Sequence, residues 1–231
     1  TFWLFGGQGI DANGRSGLMN DLWKWNGQAW IWVHGDHEAS TVSGAGESYG
    51  QKGVPSSNNV PGKRAGAVAW TATNGDLWLF GGGSGQTGGW NDLWRWDGAN
   101  WTWISGDQTW GETGAHGLQG QASEMNLPSG RIGATAWSDG SGNFWLFGGD
   151  GRYSSSRRGF GKLNDLWRWD GKTWTWMSGD PTAAQGANYG TRNITSEDSQ
   201  PGSRSDAVSW IDSNNQVWIF GGEGYNTIER G

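Results

Sequence analysis

The sequence predicts an all-β protein built from repeated antiparallel sheets, and three observations support that prediction. The chain contains nearly the same strand-rich unit three times and begins a fourth copy, which indicates a repeat architecture. Its apolar residues follow a period of two rather than 3.6, so no helix is expected. Glycine is abundant, with 44 of 231 residues, as in proteins with many short strands and turns.

Each copy of the unit contains three predicted strands, which we call b, c and d. In the second copy, strand b is Leu77–Phe80, and its continuous apolar character is typical of a strand buried on both faces. The doublet Gly81-Gly82 ends this strand. Strands c (93–96) and d (101–104) each place two tryptophans two residues apart, and therefore on one face. Asp97-Gly98 between them has the composition of a hairpin turn.

A fourth strand, a, is predicted before each unit, at residues 64–70, 131–137 and 204–210. Small residues alternate with larger ones there, as expected where several sheets converge and space is tight. The strand order is therefore b, c, d, then two complete sets of four, then a and b. The repeats occupy the segments 2–34, 64–105, 131–178 and 204–222.

The glycine doublet after strand b, followed by an aromatic strand and then a tryptophan-bearing strand, resembles the kelch motif over the whole chain. The doublets are Gly6 and Gly7, Gly81 and Gly82, Gly148 and Gly149, and Gly221 and Gly222. Kelch repeats, as in the central domain of galactose-oxidase-like proteins, imply a β-propeller in which each four-stranded sheet is one blade. The chain departs from the usual pattern in using tryptophan where many kelch repeats have tyrosine, and in its long connections from d to a.

The predicted strands amount to about three and a quarter blades, whereas propellers have about four to eight. We therefore expect residues 1–231 to form a single partial propeller domain, a segment of a six- or seven-bladed ring. The expected sources of the remaining strands are further blades of the same longer chain or, alternatively, self-association, because repeat proteins can exchange strands.

Composition excludes several classes of site. The sequence has no cysteine, so it has no disulfide, no thiolate metal site and no cysteine–tyrosine copper site of the galactose-oxidase type. Its net charge of -6 argues against binding to a nucleic-acid backbone. No apolar run is long enough to span a membrane. We expect no cofactor, no nucleic-acid partner and no membrane insertion.

Residues that recur in every repeat are interpreted as structural. Nineteen of the 21 tryptophans occupy equivalent positions, which indicates packing between sheets rather than ligand stacking. The recurring charged residues are expected to form buried pairs or to bond backbone amides; they are Asp21, Asp92, Asp165, Arg64, Arg131 and Arg204. Three rings in the loops from d to a are expected to anchor those loops: Tyr49, His116 and Tyr189.

Functional residues are expected where the copies differ. The long b-to-c and d-to-a loops should emerge on one face, because connections alternate sides in an antiparallel sheet, and such loops commonly make recognition contacts. One loop combines arginines with aromatic rings, a mixture suited to anions or sugars, and another contains a tryptophan outside the repeat register. The candidate ligand-binding residues are Trp110, Arg152, Tyr153, Arg157, Arg158 and Phe160. The alternative interpretation of the arginine-rich loop is a solvated, flexible segment.

Signals for metal binding and catalysis are weak. His34 and His37 are spaced closely enough to share a metal, but a third ligand is lacking and the next two copies have serine at the position of His34. The sequence contains no Ser-His-Asp arrangement and no phosphate-binding glycine loop. We therefore expect no metal site and no catalytic residues.

These features favour a non-catalytic binding or adhesion module that recognises a protein or a glycan through the face with the long loops. Acidity, tryptophan-rich repeats and similarity to secreted bacterial kelch-type proteins favour a location outside the cell or at its surface. One alternative is a fragment of a propeller enzyme whose catalytic residues lie outside this segment. Another is a structural subunit of an extracellular assembly. Fold analogy alone does not choose among them.

Overall fold

The computed structural model describes residues 1–85, 88–156 and 159–224. All regular secondary structure in these ranges is β-strand, arranged in antiparallel sheets of two to four strands, so the all-β prediction is confirmed. Within the same ranges, no helix has the length and apolar character that crossing a membrane requires.

Four main sheets follow the repeat. The first sheet contains, in spatial order, β1 (Phe2–Ile10), β2 (Ser16–Trp25) and β3 (Trp30–His34). The second contains β4 (Val68–Thr71), β5 (Leu77–Phe80), β6 (Leu93–Trp96) and β7 (Trp101–Ser105). The third contains β9 (Thr135–Ser138), β10 (Phe144–Phe147), β13 (Leu166–Trp169) and β14 (Trp174–Ser178). The fourth contains β16 (Val208–Ile211) and β17 (Val217–Phe220).

Two small sheets accompany the third and fourth main sheets. One consists of β8 (Arg131–Ile132), β11 (Asp150–Arg152) and β12 (Phe160–Lys162), with β11 in the middle. The other pairs β15 (Arg204–Ser205) with β18 (Glu223–Gly224). The predicted b-to-c loop of the third copy is therefore partly a hairpin, which extends the repeat beyond its glycine doublet.

The predicted strand a is shorter than the sequence indicates. The third residue of each predicted strand has a left-handed backbone, with φ of 64° at Gly66, 60° at Gly133 and 57° at Asp206, and this conformation interrupts an extended chain. The Gly133 amide donates to the Gly66 carbonyl (2.9 Å), and the Asp206 amide donates to the Gly133 carbonyl (2.7 Å). These bonds link the segments preceding β4, β9 and β16 in series.

Apolar side chains of strands b, c and d fill the space between successive sheets. Trp3 and Phe5 of the first sheet pack against a buried cluster that includes Leu77 and Trp94 of the second. A second cluster joins the second and third sheets. Trp94, Trp101, Trp167 and Trp174 are among the largest fully buried side chains, and rings of this size bury about 150 to 250 Å² each. Most recurring tryptophans thus hold sheets together.

The first two long loops from strand d to strand a lie along the outer strand of the next sheet. Asn59 Nδ2 donates to the Trp101 carbonyl at 2.9 Å, and Asn126 Nδ2 donates to the Trp174 carbonyl at 3.0 Å. Because the side-chain amides occupy buried backbone acceptors, each loop is fixed to the neighbouring repeat. The loops therefore present defined surfaces despite their length.

Candidate functional site

The candidate site lies on the hairpin of β11 and β12. Two cross-strand pairs face each other in this hairpin: Asp150 opposite Lys162 and Arg152 opposite Phe160. Because alternate strand residues share a face, these four side chains lie on the same face of the hairpin. The opposite face has Gly151 and Gly161, whose missing side chains let the hairpin lie close to the rest of the repeat.

An aromatic stack forms on the charged face of the hairpin. The ring centroids of Trp110 and Phe160 are 5.6 Å apart with the planes inclined by 33°, and the Arg152 guanidinium lies over the Phe160 ring at 5.0 Å. We call these three residues the aromatic stack. Trp110 keeps 42% of its surface exposed. The loop containing Trp110 and the hairpin, far apart in sequence, are therefore brought together into one surface.

Arg152 is held in this position by its own loop. Its Nε donates to the Ser154 carbonyl and its Nη2 donates to the Ser155 carbonyl, both at 3.0 Å. A guanidinium fixed in this way over an aromatic ring loses little side-chain entropy when a ligand binds.

Of the other sequence-predicted ligand residues, the structure describes only Tyr153. Tyr153 lies on the glycine face of the hairpin, near Gly161, so it supports the hairpin from behind. Arg157 and Arg158 lie outside the described residues. Of the four candidates that the structure describes, three converge: Trp110, Arg152 and Phe160.

A cavity of about 470 Å³ lies at the Asp150–Lys162 end of the charged face, where residues of the second, third and fourth repeats meet; the aromatic stack does not line it. Its polar lining consists of Asp150, Lys162, Ser205, Asp206 and Glu223. Lys162 Nζ donates to Ser205 Oγ at 3.0 Å and lies 3.4 Å from the Glu223 carboxylate and 3.9 Å from that of Asp150. Three carboxylates and one amine give the cavity a net negative lining.

Asp150 is the perturbed group of this cavity. Burial raises its pKa above the ordinary value for aspartate, and the Glu223 and Asp206 charges add to that effect against the opposing charge of Lys162. Its Oδ1 atom is buried and accepts no hydrogen bond from the described residues. Asp150 therefore lines the cavity as a partly buried, under-satisfied carboxylate.

Sequence reasoning missed the residues of this cavity, although aligning the copies by position reveals them. Asp206 replaces Gly66 and Gly133 at a left-handed position, where a residue with a side chain costs about 1 to 2 kcal/mol. Asp150 and Glu223 each follow a glycine doublet. The charges thus occupy repeat positions at which other copies have small or neutral residues.

The recurring charged residues form buried pairs in the second and third sheets. Arg64 Nη1 and Nη2 donate to Asp92 Oδ1 and Oδ2 at 2.6 and 2.9 Å. Arg131 donates in the same way to Asp165 at 2.6 and 2.7 Å. All four side chains are at most 1% exposed. Such two-point contacts fix the register of strands a and c.

Each paired carboxylate also bonds a ring from the preceding loop. The Tyr49 hydroxyl donates to Asp92 Oδ2 at 2.7 Å, and His116 Nε2 lies 3.3 Å from Asp165 Oδ2. Burial opposes the ionisation of Asp165, yet Arg131 and these hydrogen bonds hold its pKa well below the ordinary range. Both carboxylates therefore have structural partners on two sides.

Asp21 and Arg204 lack this pairing. Asp21 Oδ2 accepts a bond from Trp23 Nε1 at 2.5 Å, but Oδ1 is buried without a partner among the described residues. Arg204 donates to the carbonyls of Gly202 and Gly221, both at 3.0 Å, and no described carboxylate pairs with it. Of the expected buried pairs or backbone bonds, the described residues thus form buried pairs in the second and third sheets and backbone bonds at Arg204.

The two histidines considered for metal binding rest on different tryptophans. The His34 ring lies 5.1 Å from Trp96, and the His37 ring lies 5.9 Å from Trp32. Burial lowers the pKa of His34. In the described part of the chain, no three histidine or carboxylate side chains are grouped so that they could hold a metal.

No family model matches the chain. No curated protein is similar to it either. Among solved structures, a protein of unknown function from Dyadobacter fermentans is similar at 14% identity and a TM-score of 0.42. The match covers 91% of this chain and 52% of the other, so this chain spans about half the length of that protein.

Proposed function

We propose that this chain is a non-catalytic binding module whose ligand contacts the charged face of the β11–β12 hairpin. The scaffold we propose is a kelch-type β-propeller, in which the four main sheets are blades or parts of blades. The serial bonds from Gly66 to Gly133 to Asp206 support this scaffold, because inner strands surround a common axis in a propeller.

The observation that supports binding is the aromatic stack beside a polar cavity. Trp110 and Phe160 offer apolar ring surface, while the cavity supplies charged acceptors and one amine donor. Ligand sites commonly combine apolar or aromatic walls with a few polar groups that fix orientation. A mobile solvated loop would not keep Arg152 stacked and bonded on two sides.

Of the two expected ligand classes, protein and glycan, the cavity favours a glycan. A volume of about 470 Å³ suits one or two sugar rings whose hydroxyl groups donate to the carboxylates, while a further ring of the same oligosaccharide packs its apolar face on the neighbouring aromatic stack. The negative lining disfavours acidic sugars through charge repulsion. Neutral or amine-bearing oligosaccharides are therefore the ligands we propose.

The test is capture of the protein by immobilised oligosaccharides of three kinds: neutral, amine-bearing and acidic. We expect capture by the first two, and a loss of about two- to tenfold in affinity for both Trp110→Ala and Arg152→Ala, since an aromatic or cation contact contributes about 0.5 to 1.5 kcal/mol. Ile10→Ala is the matched control, because Ile10 occupies the position of Arg152 in the first-sheet hairpin. Unchanged capture in both stack variants would show that the site is elsewhere.

A further inference from the structure

The charged face of the β11–β12 hairpin has two ends of different chemistry. The Arg152–Phe160 pair belongs to the aromatic stack, and we call this the stack end. The Asp150–Lys162 pair lines the cavity, and we call this the cavity end. Because the two pairs are two residues apart along each strand, and a strand rises about 3.3 Å per residue, their backbones are about 7 Å apart. The two ends are neighbouring but separate parts of one surface.

Hydrogen bonds on both edges of β11 fix this separation. The strand pairs with β12 on one side and with β8 on the other, and the Arg152 amide donates to the Gly130 carbonyl at 3.1 Å. Behind the hairpin, a side chain at Gly151 would collide with Leu163 and Arg131, so the backbone packs directly on them. A surface supported in this way is preorganised for its ligand.

The stack end combines aromatic surface with one positive charge. Trp110 is 42% exposed, so a ligand ring can contact the indole. The Arg152 guanidinium lies 5.0 Å from the centroid of the Phe160 ring and supplies the charge. This end therefore suits the apolar face of a neutral sugar ring, whereas an ammonium group there would be repelled by the like charge.

The cavity end has the opposite charge. Its charged residues are Asp150, Lys162, Asp206 and Glu223. A Cβ atom at Gly133 would lie 2.5 Å from Asp206 Oδ1, so the glycine leaves room for this carboxylate in the cavity wall. With three carboxylates and one amine, the cavity end attracts an ammonium group and accepts hydrogen bonds from hydroxyl groups.

The two ends cannot be served by one small group. The residues of the aromatic stack do not line the cavity, so a single sugar ring contacts one end at a time. Two linked rings are the shortest ligand that contacts both. Linking the rings makes the second contact intramolecular, so it adds affinity without a second loss of translational and rotational freedom.

We propose that the two ends are subsites for one ligand, an oligosaccharide with a neutral ring at the stack end and an amine-bearing ring at the cavity end. This inference rests on the proposed function and narrows its ligand class. The protein then selects ligands by length, because both subsites must be reached. It also selects them by charge, because the subsites have opposite charges at a fixed spacing.

The test is competition between immobilised oligosaccharide and soluble sugars of one, two or three linked rings. Each soluble sugar is used in a neutral form and in a form with one amine on a terminal ring. We expect the affinity to rise about two- to tenfold from one ring to the shortest sugar that reaches both subsites, the contribution of one aromatic contact, and to change little beyond that length. The amine-bearing form should bind more tightly than the neutral form at each length.

Two variants separate the contributions of the subsites. Trp110→Ala should lower the affinity for the longer sugars by about two- to tenfold but that for the amine-bearing single ring by less than about twofold. Asp206→Asn keeps the shape of the side chain and should reduce the preference for the amine at every length. Met125→Ala is the control, because Met125 lies in the same loop as Trp110 and is 80% exposed; it should leave every affinity unchanged.

The possible failures of the inference and of the proposed function are distinguishable. Single rings that bind as tightly as longer sugars, or a Trp110→Ala variant that weakens all lengths equally, would overturn the two-subsite arrangement while leaving the binding function intact. Equal affinity for neutral and amine-bearing forms would overturn the assignment of the amine to the cavity end. A protein that binds no oligosaccharide of any length would overturn the proposed function and this inference together.

Discussion

The first and third sheets contain the same Asn-Asp-Leu-Trp motif and the same hairpin beyond the glycine doublet, yet they differ in two ways. Asp165 is held by Arg131 and His116, whereas the one described side chain that bonds Asp21 is its neighbour Trp23. Identical local sequence therefore gives the same backbone but not the same electrostatic environment, because the partners of the carboxylate come from distant segments.

The hairpins differ in the side chains they display. On the first sheet, Gln8 faces Leu18 and Ile10 faces Ser16. The same four positions of the third sheet hold Asp150 opposite Lys162 and Arg152 opposite Phe160. The comparison shows that one backbone frame serves as plain scaffold in one repeat and as a candidate binding surface in another.

The largest expected effect is the difference in stability loss between Asp165→Ala and Asp21→Ala. Asp165→Ala leaves the Arg131 guanidinium buried without a counter-charge and should lower the free energy of unfolding by about 3 to 5 kcal/mol. Asp21→Ala removes one hydrogen bond from Trp23 and should cost about 1 kcal/mol. Urea unfolding of both variants measures the difference. Equal losses would mean that the buried pair contributes no more than the indole contact.

At low pH, the stabilisation that Asp165 gives the third sheet should be lost. The folded-state pKa of Asp165 is depressed, so its stabilising contribution is complete above the unfolded-state pKa of about 3.9 and is lost as the pH falls through the folded value. The gap in unfolding free energy between the wild type and Asp165→Ala should be constant from pH 7 to 5 and narrow below about pH 4. A gap that stays constant down to pH 2 would contradict this assignment.

A smaller effect is expected where the site departs from the repeat. Asp206→Gly restores the glycine found at positions 66 and 133 and should stabilise the fold by about 1 kcal/mol, because it removes a side chain from a left-handed residue. The same change removes one carboxylate from the cavity and should weaken oligosaccharide capture. Asp206→Ala is the control, since it removes the carboxylate while keeping the strain.

The smallest expected effect concerns Asp150. Its folded-state pKa is raised, so its contribution is most favourable below the unfolded-state pKa and is lost as the pH rises through the folded value. Asp150→Asn should therefore be more stable than the wild type at pH 7, by about 1 kcal/mol or less, and equal to it below about pH 4. Thermal unfolding across this pH range measures the stability difference between the variant and the wild type. A variant that is less stable than the wild type at pH 7 would contradict the prediction.

The repeat made strands b, c and d predictable, since Leu77–Phe80 and its counterparts have a strict apolar pattern between turn signals. The early break in strand a was not predicted, although Gly66 and Gly133 stand at the break in two copies; only Asp206 adopts the left-handed backbone there without a glycine. Trp110 was identified by its departure from the register, but its contact with Phe160 depends on two loops packing in space.

The residues of the cavity were not predicted from the sequence for a related reason. Asp150 and Lys162 are separated by a loop and meet only because the hairpin pairs them. Single-sequence patterns specify which residues alternate within a strand, whereas they do not specify which loops fold back as strands.

The most direct measurement is oligosaccharide capture by a variant whose third-sheet hairpin has side chains of the first-sheet hairpin. Asp150→Gln combined with Arg152→Ile gives the third-sheet hairpin the residues that the first-sheet hairpin has at Gln8 and Ile10. We predict that capture by neutral or amine-bearing oligosaccharides falls at least tenfold, while the urea midpoint stays at or slightly above that of the wild type. Undiminished capture by the double variant would contradict the assignment of this surface as the binding site.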